Sequence, residues 1–194
     1  MNYSAVLLFG APGSGKGTQG RVLAQVPGLY YFACGDAFRS LRAEDPLGKV
    51  FIEYSSQGQL VPDDFTIELW KKNIHNSVVQ GKFQPDHDTL ILDGIPRNPH
   101  QVEIMSGLVN VKGLINLTCE SEDQMINRIQ RRALRENRLD DANLQVIRQR
   151  FLTYDQETKP VLACFDQSLI HNVDSTQPPL KVLADVLQVL AKIL

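Results

Sequence analysis

Short apolar runs alternate along the chain with longer segments in which apolar residues recur at the three- to four-residue spacing of an amphipathic helix. The apolar runs predict β-strands at residues 5–9, 29–33, 89–92, 113–118 and 169–173. The helical spacing predicts helices at residues 17–26, 36–43, 64–79, 99–108, 121–135, 143–167 and 179–193. Strands rich in Leu, Ile and Val that alternate with helices are typical of a parallel sheet covered on both faces. The pattern therefore predicts a three-layer α/β fold built on a five-stranded parallel sheet.

Two segments interrupt this alternation. Residues 34–63 carry short helical patterns without a convincing strand, which predicts a helical insert above the edge of the sheet. Residues 131–141, with the sequence RRALRENRLDD, are almost wholly polar, which predicts a mobile loop. Mobile segments around an α/β core are typical of proteins that enclose a ligand. We therefore expect residues 1–194 to form a single domain whose two mobile parts close over a bound molecule.

Composition narrows the classes of protein that remain. The 194-residue chain has 43% hydrophobic and 22% charged residues, which suits one well-cored domain. A formal net charge of −2 gives no basic excess for nucleic acid, and no apolar run reaches the length of about 18 residues that spans a bilayer. The N-terminus lacks the basic segment of a signal peptide, and the three cysteines are scattered without a CxxC pair. We expect a cytoplasmic protein without disulfides or zinc, and with neither nucleic acid nor membrane as a partner.

A glycine-rich loop follows the first predicted strand. Residues 10–16 have the pattern GxxxxGK, and a helical pattern comes directly after them. In this context successive backbone N–H groups form a nest for an anion, the helix adds its positive end, and the lysine reaches the terminal phosphates of a nucleotide. A glycine-rich turn that binds nothing is the alternative. Gly17 stands where most such loops have a magnesium-binding Ser or Thr, and the hydroxyl comes at Thr18, so a GTPase is disfavoured.

A second candidate phosphate site follows the predicted strand at 89–92. If the sheet is parallel, the end of this strand faces the same crevice as the glycine loop. Asp93 is then placed to hold Mg²⁺ through water, because Mg²⁺ keeps much of its hydration. Gly94 and Pro96 shape the turn, and Arg97 can point into the crevice. The alternative is a turn in which Asp93 only caps a helix.

Arginines are concentrated in the second half of the chain. The cluster comprises Arg128, Arg131, Arg132, Arg135, Arg138, Arg148 and Arg150. A solvated charged face is one explanation. Phosphoryl transfer offers another, because its transition state spreads negative charge over oxygen atoms that cations stabilise. We favour a cationic clamp opposite the glycine loop, with Arg131 and Arg148 as its most solvated members.

Five motifs, in this order and spacing, resemble those of the nucleoside monophosphate kinases, and above all the adenylate kinases with a short lid: GAPGSGKGTQ, CGDAFR, GQLVPDD, LDGIPRNPHQ and RIQRR…RLDD…RQRFLTY. The resemblance runs from Val6 to about Pro178. It implies the P-loop NTPase fold, with residues 34–63 as the monophosphate-binding insert and residues 131–141 as the lid. It also implies reversible, Mg²⁺-dependent phosphoryl transfer from ATP to AMP, which gives two ADP, in a monomer without zinc.

The resemblance also assigns roles to individual residues. The implied ATP-binding residues are Gly13, Ser14, Gly15, Lys16, Gly17, Thr18, Arg128, Arg132 and Gln177, the last in a loop that packs on the adenine through backbone atoms. The implied AMP-binding residues are Cys34, Arg39, Gln59, Leu60, Val61, Gly94, Ile95, Pro96, Arg97, Gln101, Arg138 and Arg150. The implied catalytic residues are Lys16, Arg97, Arg132, Arg138 and Arg150, and Asp93 is the implied Mg²⁺ carboxylate.

The chain departs from the family pattern at a few positions. Cys34 stands where adenylate kinases usually have threonine, and Ile95 replaces a phenylalanine. One extra residue after the lid leaves Arg148 or Arg150 as the bridging arginine, and the sequence RFLTY favours Arg150 because it matches the family's Arg-Leu-x-x-Tyr. Gln101 favours AMP over pyrimidine nucleotides. A UMP/CMP kinase of the same fold and a non-catalytic adenylate-binding module remain the alternatives.

Overall fold

The computed structural model describes residues 2–136, 141 and 143–194. The strands in this part of the chain are β1 (Tyr3–Phe9), β2 (Leu29–Ala33), β3 (Thr89–Asp93), β4 (Val109–Thr118) and β5 (Ile170–Asp174). They form one five-stranded sheet in the order β2-β3-β1-β4-β5, and every neighbouring pair is parallel. The predicted fold class is confirmed. β4 begins earlier than predicted because a bulge at Lys112 interrupts its apolar pattern without ending the strand.

The described α-helices are α1 (Lys16–Leu23), α2 (Cys34–Arg39), α3 (Pro46–Ser56), α4 (Asp63–Val79), α5 (Pro99–Met105), α6 (Glu122–Glu136), α7 (Leu144–Thr153) and α8 (Pro179–Ile193). The single helix predicted at 143–167 is wrong beyond Thr153. The chain there passes through a π-helical turn at Tyr154–Thr158 and a 3₁₀ segment at Lys159–Cys164. Pro160 accounts for the change, because proline has no N–H and clashes with the preceding turn of an α-helix. A short 3₁₀ turn at Gln167–Leu169 then leads into β5.

Alternate residues of β1 point to opposite faces of the sheet. The odd-numbered residues from Ala5 to Phe9 lie in a core that they share with α4 and α5. Val6 and Leu8 lie in a second core that they share with α1 and α8. All five side chains are at most 5% exposed. Burial on both faces holds β1 firmly at the centre of the sheet, and with it the start of the loop that follows.

The prediction of a mobile loop at residues 131–141 is wrong for residues 131–136, which form the end of α6. Within residues 34–63, all of which are described, the regular structure consists of α2 and α3 and no strand. Phe38 of α2 stacks on Phe51 of α3 with ring centroids 5.2 Å apart. Of the predicted lid, residues 137–140 lie outside the described residues, and the helices on either side of it, α6 and α7, share a small apolar core. Among the described helices, none has the length and apolar character to cross a membrane.

Candidate active site

The two loops that the sequence predicts to hold phosphates lie side by side. β1 and β3 are neighbours in the sheet, with Leu8 opposite Asp93 in the parallel register. The glycine loop, residues 10–15, follows β1, and the turn at residues 94–97 follows β3. Because parallel strands end at the same edge of a sheet, both loops border one crevice.

The glycine loop leads directly into α1. Gly15 has a φ of +99°, a conformation that residues with side chains rarely adopt, and Lys16 begins the helix. The first turn of α1 therefore presents unpaired backbone N–H groups beside Lys16. The Ser14 hydroxyl is buried and has no hydrogen-bond partner among the described residues. An anion with several oxygen atoms is the ligand that such a set of donors suits.

Lys16 lies in a confined setting. Its Nζ donates hydrogen bonds to the carbonyl oxygens of Gly10, at 2.6 Å, and Ala11, at 3.1 Å. Loss of hydration lowers the pKa of Lys16 to about 8; the Asp93 carboxylate opposes this effect, and nearby arginines add to it. Among the described residues, the hydrogen-bond partners of this cation are thus two main-chain oxygens.

A cavity of about 510 Å³ opens over the glycine loop. Pockets that bind small molecules usually have volumes of about 300–1,000 Å³. The predicted ATP-binding residues that line this larger cavity are Gly13, Ser14, Gly15, Lys16, Gly17, Thr18, Arg128 and Arg132. Asp93 lines it as well, and Arg131 borders it with an exposed side chain. The structure therefore gathers almost the whole predicted ATP set around one space.

A smaller cavity of about 140 Å³ lies between the turn after β3 and the segment before α4. The predicted AMP-binding residues that line it are Cys34, Arg39, Gln59, Leu60, Val61, Gly94, Ile95, Pro96, Arg97, Gln101 and Arg150. The remaining member of that set, Arg138, lies outside the described residues. Cys34 is 3% exposed, and burial raises the pKa of its thiol to about 11, so this wall of the cavity is neutral.

The two cavities meet at cationic side chains. Lys16, Arg39, Arg97 and Arg150 line both of them. A chain with a formal net charge of −2 has no general excess of cations, so this concentration is a local feature. Two anionic ligands, one in each cavity, would bring their charged groups together at this junction. Positioned cations around two phosphates are what phosphoryl transfer requires.

A buried carboxylate holds two of the arginines. Asp141 is 0% exposed and accepts a hydrogen bond from Arg132 Nε at 2.7 Å and another from Arg150 Nη1. These charge-assisted bonds join α6 to α7 and fix both guanidinium groups at the crevice. Arg148, in contrast, is exposed and lines neither cavity. The placement supports the choice of Arg150 over Arg148 as the bridging arginine.

Arg128 connects α6 to the loop after β5. Its Nη2 donates to the carbonyl oxygen of Ser175 at 2.8 Å, and Arg128 itself lines the larger cavity. Gln177, although it is among the described residues, lines neither cavity. Its Nε2 donates to the Asp174 carbonyl and to the Asp185 carboxylate. A contact of this loop with adenine through backbone atoms stays a prediction.

Sequence reasoning missed three carboxylate or hydroxyl groups that support the site. Tyr31 donates to Asp93, Asp141 binds two arginines, and Asp63 accepts from Gln101 at 2.7 Å. Asp63 and Asp141 lie within the motifs GQLVPDD and RLDD, which is the sequence signal that could have marked them. Tyr31 lies in the strand LYYFA, where an aromatic residue indicates only a strand.

The fold, with its GxxxxGK loop between β1 and α1 and two adjoining cavities, is that of a P-loop phosphotransferase. A family model described as adenylate kinase matches residues 8–170. The chain belongs to the adenylate kinase family. It is 34% identical over 188 residues to the adenylate kinase of a Cyanothece species, across 93% of this chain and 92% of that one. It is 35% identical over 162 residues to the adenylate kinase of Parabacteroides distasonis, across 80% of each chain, and 32% identical over 188 residues to that of Thermus thermophilus, across 94% of each.

Proposed function

We propose that the protein catalyses the reversible transfer of the γ-phosphoryl group of Mg²⁺-bound ATP to AMP, which gives two ADP. The observation that carries this proposal is the junction at which Lys16, Arg97 and Arg150 border both cavities. Two nucleotides whose phosphates meet at this junction would hold the acceptor oxygen next to the γ-phosphorus. Membership of the adenylate kinase family supports the same reaction.

ATP is assigned to the larger cavity. Its phosphates would accept hydrogen bonds from the backbone N–H groups of residues 13–18 and from the Ser14 hydroxyl. Lys16 would exchange its two carbonyl partners for the β- and γ-phosphates. Arg128 and Arg132 line the opposite side of this cavity and would neutralise the same phosphates.

AMP is assigned to the smaller cavity. Arg39 and Arg97 would bind its phosphate, because both guanidinium groups lie where the two cavities join. Residues 59–61 and Gln101 would contact the base at the other end. Arg150, together with Arg138, would bridge from AMP to the transferred group.

No side chain acts as a covalent nucleophile in this mechanism. A phosphate oxygen of AMP attacks the γ-phosphorus in line, and the bond from that phosphorus to the bridging oxygen of ADP breaks. Alignment of the two reactants can lower the barrier by about 7–11 kcal/mol. Lys16 and the arginines stabilise the negative charge that spreads over the transferred group. Closure of the insert (residues 34–63) and the lid (residues 131–141) would exclude water, the competing nucleophile.

The end of β3 fits a magnesium ion that arrives with ATP. Asp93 lines the larger cavity together with Lys16 and Thr18, and among the described residues hydrogen bonds engage only its Oδ2. Protein-bound Mg²⁺ keeps several waters and needs only one or two carboxylates besides the substrate phosphates. In agreement with this mode, the described residues hold no group of three or more His, Cys, Asp or Glu side chains placed for a metal. When bound, Mg²⁺ would neutralise charge on the phosphates.

We further propose that the enzyme is a monomer of the cytoplasm whose partners are ATP, ADP and AMP, without nucleic acid or membrane. Cys34, Cys119 and Cys164 are free thiols, which supports a reducing compartment. Size-exclusion chromatography with light scattering tests the oligomeric state, and a mass of about twice 21.8 kDa would contradict the monomer.

A coupled assay of ADP formation tests the reaction. Mg²⁺-ATP is supplied with AMP, CMP, UMP or GMP, and a reaction without an acceptor is the control. We expect rapid turnover with AMP and slow hydrolysis of ATP alone. Preferred turnover of CMP or UMP would assign the protein to the UMP/CMP kinases. Tight binding of ATP without turnover of any acceptor would instead favour the non-catalytic adenylate-binding module.

A further inference from the structure

Asp63 ties the start of α4 to the first turn of α5, which carries Gln101. Its Oδ1 accepts hydrogen bonds from Gln101 Nε2 at 2.7 Å and from Asn98 Nδ2 at 2.9 Å. Its Oδ2 lies 2.8 Å from Nδ1 of His100. The Asp63 side chain is 19% exposed, and Asp63 is separated by Pro62 alone from residues 59–61, which line the smaller cavity. One carboxylate therefore joins both walls of the space assigned to the base of AMP.

The bonds of Gln101 fix the orientation of its carboxamide. Its Oε1 accepts from the backbone N–H of Arg97 at 2.7 Å, while its Nε2 donates to Asp63. A carboxamide turned by 180° would set an oxygen against the Asp63 carboxylate and an NH₂ group against the Arg97 N–H. Gln101 is 1% exposed, so water cannot compensate for such mismatches. The positions of the Oε1 and Nε2 atoms of Gln101 are therefore fixed by these two hydrogen bonds.

Asp63 is restricted to the role of acceptor. Burial raises the pKa of its carboxyl, but hydrogen bonds from His100, Gln101 and Asn98 outweigh that effect and lower the pKa below its ordinary value. An ionised carboxylate has no hydrogen to donate to the oxygen of a reversed Gln101 carboxamide.

A carboxamide of fixed orientation distinguishes two classes of base. Gln101 retains one further N–H and one further oxygen lone pair, since each of the two atoms makes one bond within the protein. Adenine and cytosine carry an amino donor beside a ring-nitrogen acceptor on their pairing edge. Guanine, hypoxanthine and uracil carry a carbonyl acceptor beside a ring N–H donor, which is the reverse pattern. For one orientation of the ring in the cavity, the free N–H and the free lone pair of Gln101 can form hydrogen bonds with both groups of the first class. In the same orientation they would face a donor and an acceptor of the same kind in the second class.

We propose that Asp63 is a positioning residue that sets base specificity. It holds the Gln101 carboxamide in the orientation that favours nucleoside monophosphates with an amino base and disfavours those with a keto base. The inference rests on the proposed function, in that it takes AMP to occupy the smaller cavity. Asp63 itself touches no reacting atom. Its effect should therefore appear in the choice and the binding of the acceptor, whereas the reaction of the bound nucleotides should stay the same.

The test compares Asp63→Ala with Asp64→Ala. Both changes remove one negative charge from the first turn of α4, but the Asp64 side chain is exposed and makes no hydrogen bond to the other described residues. The kinetic constants are measured with AMP and with IMP, which differ at the pairing edge alone. For Asp63→Ala we expect the KM for AMP to rise about tenfold and the AMP-to-IMP ratio of kcat/KM to fall about tenfold. The kcat for AMP and the KM for ATP should change less than about twofold. For Asp64→Ala we expect the wild-type ratio.

An unchanged AMP-to-IMP ratio in Asp63→Ala would overturn the inference, even if the wild type proves to be an AMP kinase. Failure of the proposed function has a different signature, namely a wild type without AMP turnover. In that event the affinities of the wild type and the same variants for AMP and IMP are measured by calorimetry. An AMP-to-IMP affinity ratio that is equal in the wild type and Asp63→Ala would again overturn the inference. Circular dichroism checks folding, and Asp63→Ser replaces Asp63→Ala if the latter does not fold.

Discussion

The Tyr31 hydroxyl donates a hydrogen bond to Oδ2 of Asp93 across 2.8 Å. Burial, followed by the charge and the hydrogen bond of Asp93, raises the pKa of Tyr31, so the phenol stays protonated and remains a donor. Among the described residues, this bond engages Oδ2 of Asp93, and no hydrogen bond to Oδ1 is found. The residue assigned to magnesium is thus oriented by a side chain of the neighbouring strand, β2.

Removal of this hydroxyl should weaken both the fold and the response to magnesium. A hydrogen bond to a charged group contributes about 1.5–3 kcal/mol, so Tyr31→Phe should lower the free energy of unfolding by about that amount. It should also raise the Mg²⁺ concentration at half-maximal activity. Urea denaturation and a Mg²⁺ titration measure the two effects. Tyr30→Phe is the matched control, because Tyr30 is bonded to Ser77 and not to Asp93. A Mg²⁺ response that is equal in both variants would contradict the role of Tyr31.

Gly20 should not tolerate a side chain. A Cβ atom at this position of α1 would lie 2.1 Å from the Tyr31 ring. Alanine is the better helix former by about 1 kcal/mol, but overpacking costs typically about 1–3 kcal/mol and here also displaces the hydroxyl from Asp93. We expect Gly20→Ala to be destabilised in thermal or urea denaturation. Gly107→Ala, where a Cβ would meet no atom within 4 Å, should unfold like the wild type. A Gly20→Ala protein as stable as the Gly107→Ala protein would refute the argument.

Arg150 and Arg148 should differ sharply in their effect on activity. Arg150 lines both cavities and binds Asp141, whereas Arg148 is exposed. Loss of one preorganised donor to a transition state lowers kcat by a factor of about 10²–10³. We therefore expect the kcat of Arg150→Ala to be lower than that of the wild type by about that factor. Arg148→Ala should remain within about twofold of the wild type. Steady-state kinetics with ATP and AMP decide the matter, and the reverse order of effects would make Arg148 the bridging residue.

ATP binding should weaken at alkaline pH because of Lys16. Its pKa of about 8 in the nucleotide-free protein lies below the ordinary lysine value of 10.5, so the cation is lost as the pH rises through 8. The apparent affinity for ATP should then fall by up to about tenfold for each further pH unit. AMP provides an internal control, since its phosphate is assigned to arginines, which stay charged. Calorimetry between about pH 7 and pH 9.5 measures both ligands, and an ATP affinity that does not change over this range would contradict the prediction.

The parts of the molecule that could be predicted from the sequence are those in which local pattern and structure agree. β1 is an unbroken apolar run because both of its faces are buried, and the GxxxxGK loop has a function that its backbone alone determines. The course of residues 154–164 was predicted wrongly, because the apolar spacing continues past Thr153. Pro160 is the sequence signal that could have ended the predicted α-helix.

The supporting contacts were beyond prediction for a different reason. Tyr31 and Asp93 are far apart in the sequence and meet only because β2 and β3 pair in the sheet. Asp63 and Gln101 likewise meet across two separate elements, α4 and α5. Periodicity reports which face of an element is apolar, but it carries no information about which polar side chains converge from different elements.

Asp141 places an evolutionary constraint on the two arginines that it binds. Arg132 and Arg150 depend on the same buried carboxylate, so a substitution of Asp141 would release both guanidinium groups at once. Substitutions at these three positions should therefore be strongly epistatic, since residues that share one buried network do not contribute additively. A lineage that replaced these three residues one at a time would pass through forms with an unpaired buried charge. This part of the fold is thus expected to be inherited, exchanged or grafted as one piece.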